Sequence, residues 1–106
     1  MSRLAFCALA LMLSLSSGIA VAAAADGEAA IRQIVADQVV AWDAGDGVAY
    51  GKRFAPDGAF TNLFGMVMYG APAFQKRHAD ILSSFYKGTT KKHTIRRIRF
   101  LGSSPG

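Results

Sequence analysis

Apolar residues are unevenly spread along the chain. Positions 4–13 are apolar almost without interruption, from Leu4-Ala5-Phe6 through Ala8-Leu9-Ala10-Leu11-Met12-Leu13, with Arg3 in front. Ser14, Ser16, Ser17 and Gly18 follow, and then the small residues from Val21 to Ala25. A basic start, a short apolar core and a small-residue end describe a secretory signal peptide over 1–25. A membrane anchor is the rival reading; the interrupting serines and the lack of a basic flank after Ala25 weigh against it.

After Ala25 the pattern becomes periodic. Ile31, Ile34, Val35, Val39 and Trp42 recur at helical spacing, with Asp26 placed to cap and Glu28 in the first turn, which predicts a helix over 27–44. Gly45-Asp46-Gly47 stops it and caps another, in which Val48, Tyr50 and Phe54 share a face before Pro56-Asp57-Gly58 turns the chain. Ala59–Phe64 and Met66–Tyr69 read as short strands broken by Gly65. Pro72 then suits the first turn of a third helix whose face is Phe74, His78, Ile81, Leu82 and Phe85, ending at Gly88, with Lys76 and Asp80 spaced as a surface pair. His93–Leu101 reads as a last strand, and Gly102–Gly106 as a turn.

Length and charge narrow this picture. At 106 residues the chain is one small domain, and its 12 Lys+Arg against 7 Asp+Glu make it basic. Cleavage after Ala25 removes Arg3 and the single cysteine, Cys7, leaving a basic domain over 26–106 with no disulfide or thiolate chemistry. Cys7 precedes most of the apolar run and reads as a passenger, not a lipid attachment site. No metal is expected, because His78 and His93 fall in different elements with no cysteine or His-Glu cluster beside them. No cofactor is expected either: there is no Gly-x-Gly-x-x-Gly run.

The segments Gln38–Asp46, Phe54–Asn62 and Gln75–Leu82, in the order helix, helix, strand, strand, helix, strand, resemble the SnoaL-like, SgcJ/EcaC-type branch of the nuclear transport factor 2-like superfamily. The resemblance runs from about Ala29 to Leu101 and is carried most specifically by Phe54-Ala55-Pro56-Asp57, Phe60-Thr61-Asn62 and Arg77-His78. It implies an α+β fold, a cone of helices packed on a curved antiparallel sheet. The strands that follow the last predicted one in that family are missing, so the domain is expected to be C-terminally truncated. Gly70-Ala71 also stands where relatives usually have Gly-Arg. Homodimers through the outer face of the sheet are implied as well. The family's oxidoreductase label has no counterpart in a nucleotide, flavin or cysteine motif here.

His78 lies on the apolar face of the third helix, either as a general acid or base or as a histidine of the core edge bonded to backbone or to Asn62. Asn62, between Phe60 and Phe64, either orients a carbonyl ligand or makes an Asx turn before Gly65. Tyr50, Phe54, Phe60, Phe64, Met66 and Phe85 are candidate pocket walls, or simply core. Trp42 is read as a packing residue with its indole N–H bonded near the helix corner. Lys87, Lys91, Lys92, Arg96, Arg97 and Arg99 form a basic stretch without an acid, suited to phosphate or anionic lipid or else a solvated face; an exported protein seldom meets nucleic acid.

Two classes of function follow. The first is an exported, periplasmic or secreted, domain that binds a small hydrophobic ligand or assembles with a second copy, with no membrane segment left after signal removal. The alternative is a SnoaL-like enzyme of isomerase or cyclase type that uses His78 and Asn62 in an aromatic-lined pocket.

Overall fold

A computed structural model describes the backbone of residues 2–102, and side chains at 18, 19 and 21–102. Two compact units are present, one of 1–32 with 96–106 and one of 33–95. Elements follow in the order α1 (Ser2–Asp43), α2 (Gly47–Tyr50), β1 (Ala59–Thr61), β2 (Val67–Tyr69) and α3 (Gly70–Leu82). The class is α+β.

Helix α1 starts far earlier than the capping reading of Asp26 implies. The alanines of 22–25 are the strongest helix formers, so nothing stops the helix there, and Asp26 is carried inside it. Side chains 1–17, including Cys7 and most of the apolar core of the expected signal peptide, lie outside the described residues. Among the described residues no helix is long and apolar enough to cross a membrane. Within this first unit Glu28 and Arg32 form an exposed i,i+4 pair at 2.8 Å, an arrangement that adds a few tenths of a kcal/mol (~0.3–0.5) at most.

In the unit of 33–95, α1 ends at a tight corner. Gly45 takes φ 71°, and the Asp46 N–H bonds back to the Ala41 carbonyl at 2.8 Å. Asp46 then caps α2, its carboxylate accepting from the Ala49 N–H at 2.9 Å. The second helix is shorter than expected and does not reach Phe54. At Gly51, a poor helix former, the chain changes to i+3 bonds, Lys52 N–H to Ala49 and Phe54 N–H to Gly51.

The strands pair antiparallel as Ala59 with Tyr69, Phe60 with Met68 and Thr61 with Val67. Alternation turns Phe60 and Met68 inward and leaves Ala59, Thr61, Val67 and Tyr69 exposed. Both strands are shorter than expected because Asn62–Met66 is consumed by the turn, where Gly65 takes φ 78°. Helix α3 starts two residues before Pro72, which occupies its first turn without loss of a helical bond. The expected Lys76–Asp80 pair forms at 2.7 Å. Phe74, His78 and Leu82 are buried along one stripe, but the helix stops at Leu82 and Phe85 is left 85% exposed in the following turns.

The expected strand at 93–101 does not form. A strand needs a neighbour to satisfy its N–H and C=O groups, and the described sheet has two strands, β1 and β2, with no ladder to that segment.

Helix α2 rests directly on α3. A Cβ built at buried Gly47 falls 2.0 Å from the Ala79 nitrogen and 2.4 Å from the His78 carbonyl carbon, so contact is backbone to backbone. Gly47→Ala is expected to destabilise the fold by about 3 kcal/mol, the upper end of overpacking costs, read as a lower urea midpoint. Val48→Ala, at an exposed neighbour, stays within about 0.5 kcal/mol.

Candidate functional site

The elements of 33–95 enclose a cavity of about 620 Å³. Trp42 at the end of α1, Tyr50 of α2, Phe60 and Met68 of the hairpin, and His78 and Ile81 of α3 line it. Asn62, Leu63 and Phe64 from the hairpin turn reach its edge, as do Phe85, Tyr86 and Lys91 from the chain after α3. Arg77 completes the lining. Leu63, Phe64 and Phe85 are largely exposed and give the cavity an apolar rim.

His78, one of the lining residues, is buried. Its ring stacks on Tyr50 at 4.7 Å between centroids, lies 4.1 Å from Phe74, and meets the edges of Phe60 and Trp42. Nδ1 donates to the Phe74 carbonyl one turn back at 2.7 Å, which assigns the proton to that nitrogen. Nε2 then carries the lone pair. It has no hydrogen-bond partner among the described residues and is not sealed from solvent. Burial lowers the His78 pKa; the bond to Phe74 opposes this, and the cations Lys91 and Arg77 add to the lowering. The ring is therefore a neutral acceptor at pH 7.

Lys91 is brought in by three side-chain bonds. Its N–H donates to the Asp43 carboxylate at 2.8 Å, the Trp42 indole N–H donates to the Thr89 hydroxyl at 3.0 Å, and that hydroxyl donates to the Tyr86 carbonyl. The Trp42 bond thus runs to the segment after α3 and not to the helix corner that the sequence suggests. Lys91 Nζ lies 4.6 Å from the centre of the Trp42 ring and 4.7 Å from that of Tyr50, and donates to the Tyr50 hydroxyl.

Asn62 is committed through its oxygen, which accepts from the N–H groups of Phe64 and Met66 at 2.9 Å each. This is the Asx-type turn, and it leaves the amide NH2 as the group Asn62 can offer a ligand. Of the residues singled out from sequence, His78, Asn62, Tyr50, Phe60, Phe64 and Phe85 share the cavity wall. Phe54 and Met66 do not line it. Phe54, half-buried, stacks flat on Phe74 at 4.2 Å, and Met66 sits in the turn while Met68, two residues on, points inward. Trp42, Arg77 and Lys91 line the cavity without having been singled out as site residues. For Lys91 no pattern could have done so, because it is one cation in a run that is otherwise exposed. Among the described residues no group of histidine, cysteine or acidic side chains could hold a metal ion.

No protein-family model matches the chain, and no curated protein does either. A solved structure from Nostoc punctiforme, a domain of unknown function with a cystatin-like fold, is similar with a TM-score of 0.69 and 25% identity. The match covers 72% of this chain and 47% of that one, so the chain spans about half the length of its neighbour. The fold is cystatin-like, of the nuclear transport factor 2-like type.

The lowered pKa of His78 has a signed consequence for stability. As pH falls below about 6.5, the ordinary histidine value, the unfolded chain takes up a proton that folded His78 resists. Stability is full above that pH and is lost progressively below it, down to the folded-state pKa. Urea midpoints measured from about pH 7 to 5 are expected to fall more steeply for the natural chain than for His78→Gln, which lacks the titrating ring.

Proposed function

We propose that the chain is an exported domain of the SnoaL-like, SgcJ/EcaC-type branch, with a leader over 1–25 and a ligand-binding domain over 26–106, whose cavity takes a small hydrophobic molecule. The observation that carries this reading is the cavity of about 620 Å³ walled by Trp42, Tyr50, Phe60, Phe64 and Met68. Such a chamber, mostly apolar with a few convergent polar groups, is the usual form of a small-molecule site. The branch rests on the three quoted segments, and export on the pattern of 1–25. The cone shape belongs to the same proposal and draws support from the cystatin-like neighbour.

One observation favours an enzymatic reading as the second choice. Nε2 of His78 is an unpartnered acceptor inside an aromatic chamber, the position of a general base. In that reading His78 removes a proton from a bound carbonyl compound and the Asn62 amide N–H holds the carbonyl oxygen. No carboxylate lines the cavity among the described residues, so the isomerase pattern of a carboxylate base has no counterpart there.

A homodimer is part of the proposal. The outer face of the hairpin presents Tyr69, 76% exposed, and Val67, 46% exposed, to solvent. Light scattering is expected to give twice the chain mass, and Tyr69→Lys to return it to one chain; a single-chain mass at every concentration for the natural sequence would refute the dimer.

The single tryptophan stands in the cavity wall, so its emission reports occupancy. Titration with 2-acetylnaphthalene, a neutral apolar ketone, is expected to quench Trp42 to saturation. Phe60→Ala should weaken that binding by about 3- to 10-fold, the value of one aromatic contact. Absence of saturable quenching would overturn the pocket reading. Proton exchange at the carbon beside a ligand carbonyl, abolished in His78→Gln with binding intact, would decide for the enzyme.

A further inference from the structure

Charge inside the cavity is all of one sign. Arg77 and Lys91 are its charged lining residues, and both are cations. Neither takes part in an ion pair among the described residues, where the pairs are Glu28 with Arg32 and Lys76 with Asp80. Asp43, the carboxylate attached to the Lys91 segment, accepts from the Lys91 backbone N–H and does not line the cavity. Lys91, half-buried as a residue, therefore stands in this mostly apolar lining with no ion-pair partner among the described residues.

We infer that the ligand of this cavity is an apolar monoanion, a hydrophobic ring or chain carrying one carboxylate, held by Lys91 with the hydroxyl of Tyr50. This rests on the reading of the cavity as a ligand site and adds the class of molecule it takes. Lys91 stands over the faces of Trp42 and Tyr50 and spends one of its three donors on the Tyr50 oxygen. The remaining ammonium hydrogens are uncommitted among the described residues. Tyr50 accepts at that contact, so its own hydrogen stays available as a donor. Lysine thus keeps two donors and tyrosine one, on groups in hydrogen-bond contact with each other, enough for the two oxygens of a carboxylate. Bonds of this kind to an ionised group are about twice as strong as neutral ones.

The rest of the chamber disfavours a phosphate dianion. A phosphate dianion would lose far more hydration on entering walls made of Trp42, Phe60, Phe64 and Met68 than two cations return. A monocarboxylate places one charge at Lys91 and apolar surface everywhere else. Neutral His78 then adds no third cation, and its acceptor nitrogen is free for a hydroxyl or N–H on the ligand body.

The test is calorimetric titration of the full chain with 2-naphthoate and with its neutral isostere 2-naphthamide. The carboxylate is expected to bind about tenfold more tightly or better, as one charge-assisted bond requires. Lys91→Met keeps an apolar stem over Trp42 and should erase the preference while leaving the amide's affinity in place. Tyr50→Phe keeps the ring and loses only the hydroxyl, so it should shrink the preference several-fold even if Lys91→Met fails to fold. Equal binding of the two probes by the natural chain would overturn the anion assignment and leave the cavity reading standing. Binding of neither probe would overturn both. A preference that persists unchanged in folded Lys91→Met would remove Lys91 as the anchor and refute the proposal.

Discussion

Four rings converge on Phe74, which is 4% exposed. Phe54 stacks flat on it at 4.2 Å, His78 leans against it at 4.1 Å, Phe60 meets it edge-on at 5.2 Å, and Tyr50 lies parallel at 5.9 Å. These rings come from α2, from the turn after it, from β1 and from α3 itself. A two-stranded sheet and a four-residue helix are not stable alone, so their positions depend on this shared burial. The backbone contact of Gly47 with Ala79 sets how closely α2 approaches α3, and with it the height of Tyr50 over His78.

The same packing decides the chemistry of the cavity. The Phe74 carbonyl captures the Nδ1 proton of His78, burial keeps the ring neutral, and two cations nearby reinforce that state. Histidine therefore lines the cavity as an acceptor and lysine as a donor. Cation–π contact with Trp42 and Tyr50 stabilises Lys91 in a half-buried place where it has no ion-pair partner among the described residues. The polar groups are few, but each is oriented by a bond to its own support: His78 by Phe74, Asn62 by the turn N–H groups, and Lys91 by Tyr50 and Asp43. Side chains held in this way would lose little further freedom if a ligand bound.

A cystatin-like fold hosts many unrelated activities, so the neighbour from Nostoc punctiforme bears on architecture and leaves function to the cavity. In this chain the charged residues lining the cavity are both cations, Arg77 and Lys91. A basic composition alone would point to the exposed cations of 87–99 as a binding surface. In the folded chain most of those side chains are solvated, and one of them, Lys91, is half-buried against aromatic rings.

Much of the core was legible in the sequence because local rules govern it. The spacing of Phe74, His78 and Leu82 puts them on one stripe of a helix whatever the rest of the chain does, and the Gly45-Asp46-Gly47 corner follows from glycine's freedom and an aspartate cap. Asn62 before Gly65 likewise makes its turn from short-range bonds. Other features needed partners distant in sequence. Whether 93–101 is a strand depends on a neighbour to pair with, and whether Phe54 faces the cavity or the core depends on where Phe74 lies. Lys91 meets Tyr50 across 41 residues of chain. Periodicity and capping act within a few residues and so determined the buried face of α3 and the corner at Gly45–Gly47, whereas the charge of the cavity is a sum over segments that only tertiary packing brings together.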